Sequence, residues 1–331
     1  MNTKVVYLDQ NKWIALAKAT KNPNEKSEAR SALEFLVNER KAGRVLLPLT
    51  ATNLYETHKI NNPERRFDLA YCMTTLGEAY VFRGRHKRLE VEIIDAVRRG
   101  YDMPSLERES HWFLSRVFYE STAEWNDPRL GPVISQTMYN FAKANPQEFL
   151  FGFLMETSEN ARTTAVRQFS QGMESVRQRI EARRARDAGE KESMRRNLQN
   201  AMLMINELDE IQAWVSAAGI PDASVHDILE KHARRIMNET PTYMIERELA
   251  LRLEGQHTRP IQENDFRDMQ AFCAVVAYSD IVVAENQFSS LARQAGLDRK
   301  YGTLITTSFT KMMESMIGAG GPSEPASTQE T

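Results

Sequence analysis

VVYLDQNKW, residues 5–13, decides the fold. Val5, Val6, Tyr7 and Leu8 form an unbroken β-favouring apolar run, the pattern of a strand covered on both faces within a parallel sheet. The run stops on Asp9, so the strand delivers a carboxylate to the carboxyl edge of that sheet, where open α/β folds form their sites. Working outward, the periodicity predicts helices over residues 12–18 and 26–41, the second ended by Gly43, and a second strand over residues 45–49. Thr50 or Thr52 can cap a third helix carrying Leu54, Tyr55 and Glu56, and Pro63 marks the start of a fourth through Phe67, Leu69 and Met73. Strands alternating with helices in this way are the grammar of an α/β fold.

From residue 83 to about 257, helical periodicity and high charge continue with no convincing strand run, which predicts an all-helical insertion. Within it, residues 162–196 are poor in core side chains and are expected to form a long solvated helix or a partly mobile arm. Leu198, Met202, Ile205, Leu208, Ile211 and Trp214 then restore the spacing of a packed helix. The α/β grammar returns near Pro260, with a helix through Phe266, Met269, Phe272, Val275 and Val276, a strand over residues 281–284, a further helix and a strand over residues 303–306. The expected organisation is therefore an α/β part over residues 1–82, a helical insertion over 83–257, a second α/β part over 258–317 and a disordered tail over 318–331.

With 331 residues, a net charge of -2 and 41% apolar residues, the chain has material for a substantial core and falls outside the strongly basic class of simple nucleic-acid coats. Any contact with nucleic acid must come from a local patch. The two cysteines, Cys72 and Cys273, lie in apolar stretches without a second Cys or His at ligand spacing, so a reduced intracellular compartment is the expectation and a zinc site is not. No signal-peptide core opens the chain and no run approaches the roughly 20 apolar residues of a membrane span, which predicts a cytoplasmic protein.

Four acids stand where strands meet helices: Asp9, Glu56, Asp268 and Glu285. Carboxylates at such a crevice need a cation or donor to offset desolvation, and several together favour a hard divalent ion such as Mg²⁺ or Mn²⁺. Asp280 precedes its strand and so falls at the far end, about 15 Å from Glu285 at roughly 3.3 Å per residue. Each acid has a plainer reading. Asp9 can cap the following helix, Glu56 can sit on a solvated face, and Asp265 with Asp268 fits a capping box, here read with Asp265 as cap and Asp268 as ligand. Lys12, His58 and Lys59 flank the acids, and RGRHKR at residues 83–88 concentrates Arg83, Arg85, Lys87 and Arg88. These are the candidate phosphate contacts, against the ordinary reading of solvated surface charge.

The same stretches carry a resemblance. VVYLDQNKW resembles the opening strand and Asp-x-Asn turn of PIN-like nucleases. LLPLTATNLYE, residues 46–56, looks like that family's second strand and acid-bearing helix; NDFRDMQAF, residues 264–272, and DIVVAENQF, residues 280–288, look like its third and fourth acidic segments. The likeness covers residues 1–82 and about 260–307, not the insertion, and departs from the commonest pattern where Asn286 follows Glu285 in place of a pair of Asp residues. It implies a three-layer PIN-like fold around a central parallel sheet, one or two Mg²⁺ or Mn²⁺ ions, and endonucleolytic hydrolysis of RNA more than DNA, as in a toxin or bacterial defence effector. By resemblance Asp9 would anchor the ions, Asp268 and Glu285 would complete the ligand set, Glu56 would bind metal or orient water, and Asn11 would steady the turn and the Asp9 carboxylate. The alternative is a degenerate PIN-like assembly protein whose insertion binds a partner protein or a second copy. Arg252 and His257 also match the loose Arg-x4-His spacing of helical HEPN-type ribonucleases, although Gly255 interrupts the helix between them.

Overall fold

The computed structural model describes residues 3–22, 24–126, 135–187, 189–219, 226, 228–256 and 259–318. Its strands are β1 Lys4–Leu8, β2 Val45–Leu46, β3 Val81–Phe82, β4 Leu114–Ser115, β5 Ile281–Val283 and β6 Leu304–Thr306. Four of them make a parallel sheet in the order β2-β1-β5-β6, with Val5 opposite Leu46, Tyr7 opposite Val282 and Val282 opposite Ile305. The buried apolar run thus becomes an inner strand, and it joins segments separated by more than two hundred residues of sequence. β2 is shorter than the predicted strand because Pro48 has no N–H to give the ladder. The edge resumes at Leu49, whose N–H donates to Tyr80 O and whose carbonyl accepts from Phe82 N–H, both at 2.8 Å.

Alternation along β1 divides the core into two faces. Val6 and Leu8 face one cluster, packed by Trp13 and Leu16 of α1 Gln10–Lys21, Leu36 of α2 Glu28–Lys41, and Leu69 and Met73 of α4 Pro63–Gly77. Val5 and Tyr7 face the other, packed by Phe272 and Val275 of α13 Glu263–Val275 and by Phe288 and Leu291 of α14 Asn286–Gln294. Helices thus cover both faces of a central sheet. Ser27 caps α2 by accepting from Arg30 N–H, Asn62 caps α4 ahead of Pro63, and Gly43 leaves α2 with a left-handed φ of 67° that suits glycine.

The intervening region differs from a free-standing helical insertion. It contains β4, which pairs with β3 in antiparallel fashion. Leu150 and Leu154 of α7 Pro146–Glu156 join the first core face, while Ile245 and Leu249 of α12 Pro241–Glu254 join the second. A third cluster, with Ile93 of α5 Arg85–Gly100, Met204 of α9 Glu192–Asn206 and Trp214 of α10 Leu208–Ala217, lies beyond. The charged stretch forms the long helix α8 Glu159–Arg186, which is docked along its length rather than detached. Arg162 donates to His58 O at 2.9 Å, Ile180 is buried with Phe266, and Arg183 pairs with Glu254 at 2.8 Å. In α9 the core positions are Leu203 and Met204, and Ile205 faces solvent. Gly318 ends α16 Phe309–Gly318; the rest of the tail, and His257, lie outside the described residues. Among the described residues no helix is long and apolar enough to cross a membrane, and both cysteines are buried and free.

The close approach of α4 to the sheet edge gives a direct test. A Cβ on Gly77 would sit 2.9 Å from the backbone carbonyl of Leu47, which cannot rotate away as a side chain would. Gly77→Ala is expected to lower stability by about 1–3 kcal/mol in a denaturant melt, despite the better helix propensity of alanine.

Candidate acidic active site

Asp9 sits where β1 ends. Its backbone N–H donates to Val283 O at 2.9 Å, so the residue is tied to β5 as well as to its own strand. Its extended backbone makes it the N-cap of α1, and its side chain accepts from Gln10 N–H at 2.8 Å. The capping role is therefore met by this carboxylate. Burial raises its pKa, the backbone N–H groups of Gln10 and Glu285 pull it back, and the Glu285 charge pushes it up again. Tyr7, one turn of the pleat earlier on the same side, brings a buried hydroxyl toward the same acids.

Glu56 comes from α3 Ala51–His58, which is fixed to the Asp9 turn by a buried polar network. Gln10 Nε2 donates to Thr57 Oγ1 at 3.0 Å, and Asn53 Nδ2 donates to Gln10 Oε1 at 3.1 Å. Asn53 Oδ1 in turn accepts from the backbone N–H of Thr50 at 2.9 Å, closing the start of the helix. Thr50, not Thr52, is the N-cap. Gln10 and Asn53 were missed as site-building residues in the sequence. The Thr-x-x-Asn spacing at residues 50–53 was the available signal for the second, whereas nothing local marks Gln10 as inward-facing.

Asp268 lies on the second turn of α13, facing Asp9, Glu56 and Glu285. Asp265 is buried to 1% exposure and occupied elsewhere: it accepts from Gln262 N–H at 2.8 Å, from Arg259 at 2.7 Å and from Gln287 Nε2 at 2.8 Å. Gln262 is the N-cap, so Asp265 fills the third helical position of the capping box rather than the cap itself. Between the two acids stands Arg267, which sequence reasoning also missed. Its guanidinium is 3.6 Å from Glu56 Oε1 and 3.8 Å from Glu263, and its buried Nε has no hydrogen-bond partner. Glu285 is exposed at the N-cap of α14 and accepts from Asn11 Nδ2, so Asn11 steadies Glu285 and not the Asp9 carboxylate. Asp280 is at the opposite edge, bound to Lys4 Nζ at 2.7 Å and to Val5 N–H at 2.8 Å.

The four acids perturb one another. Burial, then Asp9, Glu56 and Glu285, push Asp268 up to about 8; burial and the Asp9 charge push Glu56 up to about 7 against the opposing pull of Arg267. A donor set of carboxylate oxygens whose charges repel is the chemistry that a hard divalent cation relieves. Among the described residues, however, no three acidic, histidine or cysteine side chains are gathered into a ready ion-binding group.

Most of the proposed phosphate contacts are used internally. His58 is buried with its ring 4.6 Å from that of Phe153 and Nε2 3.2 Å from Phe153 O, and burial lowers its pKa, so it offers no cation. Arg83 pairs with Glu120 at 3.0 Å and with Glu124, Arg85 with Glu207 and Glu246, and Lys87 with Glu90; Arg88 is 3% exposed and donates to Arg83 O. The basic cluster of residues 83–88 is thus neutralised inside the fold, not a groove for nucleic acid. Lys59 is exposed, 3.4 Å from Glu263, and Lys12 Nζ donates to Thr307 O at 2.6 Å; these two remain beside the acids.

Two measurements test this arrangement. Acids whose folded pKa lies above the unfolded value bind more protons when folded, so the stability they give is present below about pH 4 and is lost as pH rises through about 8. The melting temperature is therefore expected to fall across that window in the absence of divalent ions, with Asp268→Asn flattening the fall and melting above wild type at the alkaline end. Asn53→Ala, which leaves the buried Gln10 Oε1 without its donor, should cost about 1–3 kcal/mol in a denaturant melt. No family model matches this chain, and no curated protein or solved structure matches it either, so the reading of the site rests on its own geometry.

Proposed function

We propose that the chain is a metal-dependent endonuclease of PIN-like fold, acting on RNA in preference to DNA in the cytoplasm as a toxin or defence effector. What supports this reading is the mutual electrostatic influence of Asp9, Glu56, Asp268 and Glu285 about the end of β1, the four acids coming from different elements. The order of the acids along the chain, and the segments around them, resemble the PIN-like pattern. Mg²⁺ or Mn²⁺ bound there would supply an acidified water and positive charge to offset the charge that develops on phosphate oxygens.

The chain's own residues divide the remaining work. Asp9, whose carboxylate accepts from Gln10 N–H, would anchor the cation, with Asp268 and Glu285 completing the set; Asp268, its pKa pushed up to about 8, would release its proton to do so. Glu56 has a pKa of about 7, matched to accepting a proton from the attacking water at its oxygen turned away from Arg267. Arg267, held among carboxylates yet short of full hydrogen bonding, can reach a phosphate oxygen once Glu56 is otherwise engaged. Lys12 and Lys59 flank the crevice as weaker phosphate contacts.

A second reading, a degenerate PIN-like assembly protein, draws on the absence of a gathered three-acid group among the described residues and on the capture of Glu285 by Asn11. The two part in one experiment. Purified full-length protein is incubated with single-stranded and structured RNA and DNA, with Mg²⁺ or Mn²⁺ and with a chelator, while ion binding is followed by calorimetry. Cleavage that needs the ion, and that falls on the order of 10³-fold in Asp9→Asn without loss of folding, is the expected result. No ion binding and no cleavage, together with stable self-association of the full chain, would replace it with the second reading.

A further inference from the structure

A polar cavity of ≈240 Å³ lies among α9, α12 and α14, lined by Arg195, Arg252, Gln256, Gln294 and Glu192 among others. It is separate from the acidic crevice. Gln294 ends α14 and Glu285 precedes its first residue, so the length of that helix, about 13 Å at 1.5 Å per residue, separates the two.

The cavity's two arginines differ from their neighbours. In the same region Arg183, Arg196 and Arg247 pair with Glu254 or Glu248, and Arg184 donates to the carbonyls of Leu253 and Arg259. Arg195 and Arg252 make no ion pair and no side-chain hydrogen bond among the described residues. Arg195 feels the Asp187 charge, but that carboxylate is already bound by Arg186 through two contacts of 2.5 and 2.8 Å. Glu192, the one acid in the lining, is turned to Arg196 at 3.2 Å. Beyond this, Arg195 Nε and Gln256 Oε1 are sealed from solvent without a partner.

We propose that this cavity binds a phosphate monoester. Two guanidinium groups with their donor forks free suit the several oxygens of a dianionic phosphate better than a single carboxylate, and low hydration of guanidinium favours the contact in a recess. The Gln256 Nε2 and the Gln294 amide in the lining offer further donors. The cavity is large enough for phosphate with the near part of a sugar, not for a stretch of polymer.

The test is calorimetric titration of full-length protein with inorganic phosphate and with adenosine 5′-monophosphate, in wild type and in Arg195→Gln, Arg252→Gln and Asp9→Asn, each checked for an unchanged thermal melt. Saturable one-to-one binding of both probes, weakened at least about tenfold in each arginine variant and unaltered in Asp9→Asn, is expected; a tenfold loss corresponds to about 1.4 kcal/mol. Tighter binding of the nucleotide identifies a nucleotide as the source of the phosphate, and equal binding identifies the phosphate group alone. Absence of saturable binding, or binding that survives in both arginine variants or disappears in Asp9→Asn, overturns the assignment. Asp9→Asn also separates this test from the fate of the nuclease reading.

Discussion

The burial of β1 on both faces is the constraint from which the rest follows. Val5 to Leu8 can lose water only if strands flank them and helices cover both sides, and the chain meets that need by bringing β2 and β5 to its two edges. A strand covered in this way ends abruptly, and the next residue is Asp9, held by its own N–H to Val283. Because β5 ends at the same edge, Glu285 arrives beside it, and the polar network of Gln10, Asn53 and Thr57 sets α3 and Glu56 against the same turn. The convergence of acids is a consequence of strand pairing together with one buried hydrogen-bond network, not of any local acidic motif.

What could be read in the sequence follows from which interactions are local. The strands expected at residues 5–8 and 281–284, the helix start at Pro63, a cap at Thr50 or Thr52 and the stop at Gly43 depend on a few adjacent side chains; the structure has strands Lys4–Leu8 and Ile281–Val283, a helix from Pro63, Thr50 as the cap and Gly43 in the left-handed region. Asp9, Glu56 and Glu285 lie just after a strand or on the helix that follows one, whereas Asp268 rides a helix that precedes β5. The basic run at residues 83–88 was misread because its partners are distant: Arg83 meets Glu120 and Glu124, and Arg85 meets Glu207 and Glu246. A run of charge looks solvated until the opposite charges are located, and those of Arg83 and Arg85 lie 37 to 161 residues away. The cap at Gln262 was missed on another ground, because glutamine is a weak cap whose use here depends on Asp265 reaching back to its N–H.

The boundary drawn at residue 83 marks a change of grammar and not a change of body. Leu150 and Leu154 share a core with Leu8 and Leu36, and Ile245 and Leu249 share one with Tyr7 and Phe272. Removing the middle region would strip both faces of the sheet of part of their cover. The helices of that region also touch the crevice: Ser170 of α8 donates to Glu263 at 3.2 Å, beside Arg267. Any movement of the long helix is therefore felt at the first turn of the helix that carries Asp268.

The crevice is under tension that the remainder of the fold absorbs. Asp268 and Glu56 are held where desolvation and mutual repulsion oppose their charged forms, and Arg267 relieves Glu56 only in part, at 3.6 Å and without a full hydrogen bond. A fold selected for stability alone would replace one of these acids with an amide of the same shape, because nothing in the core depends on its charge. Keeping all four concentrates negative potential at one edge, with only Lys12, Lys59 and Arg267 beside it to moderate the repulsion of a polyanion. The raised pKa values of Asp268 and Glu56 have burial as their first cause, reinforced by the carboxylates around them.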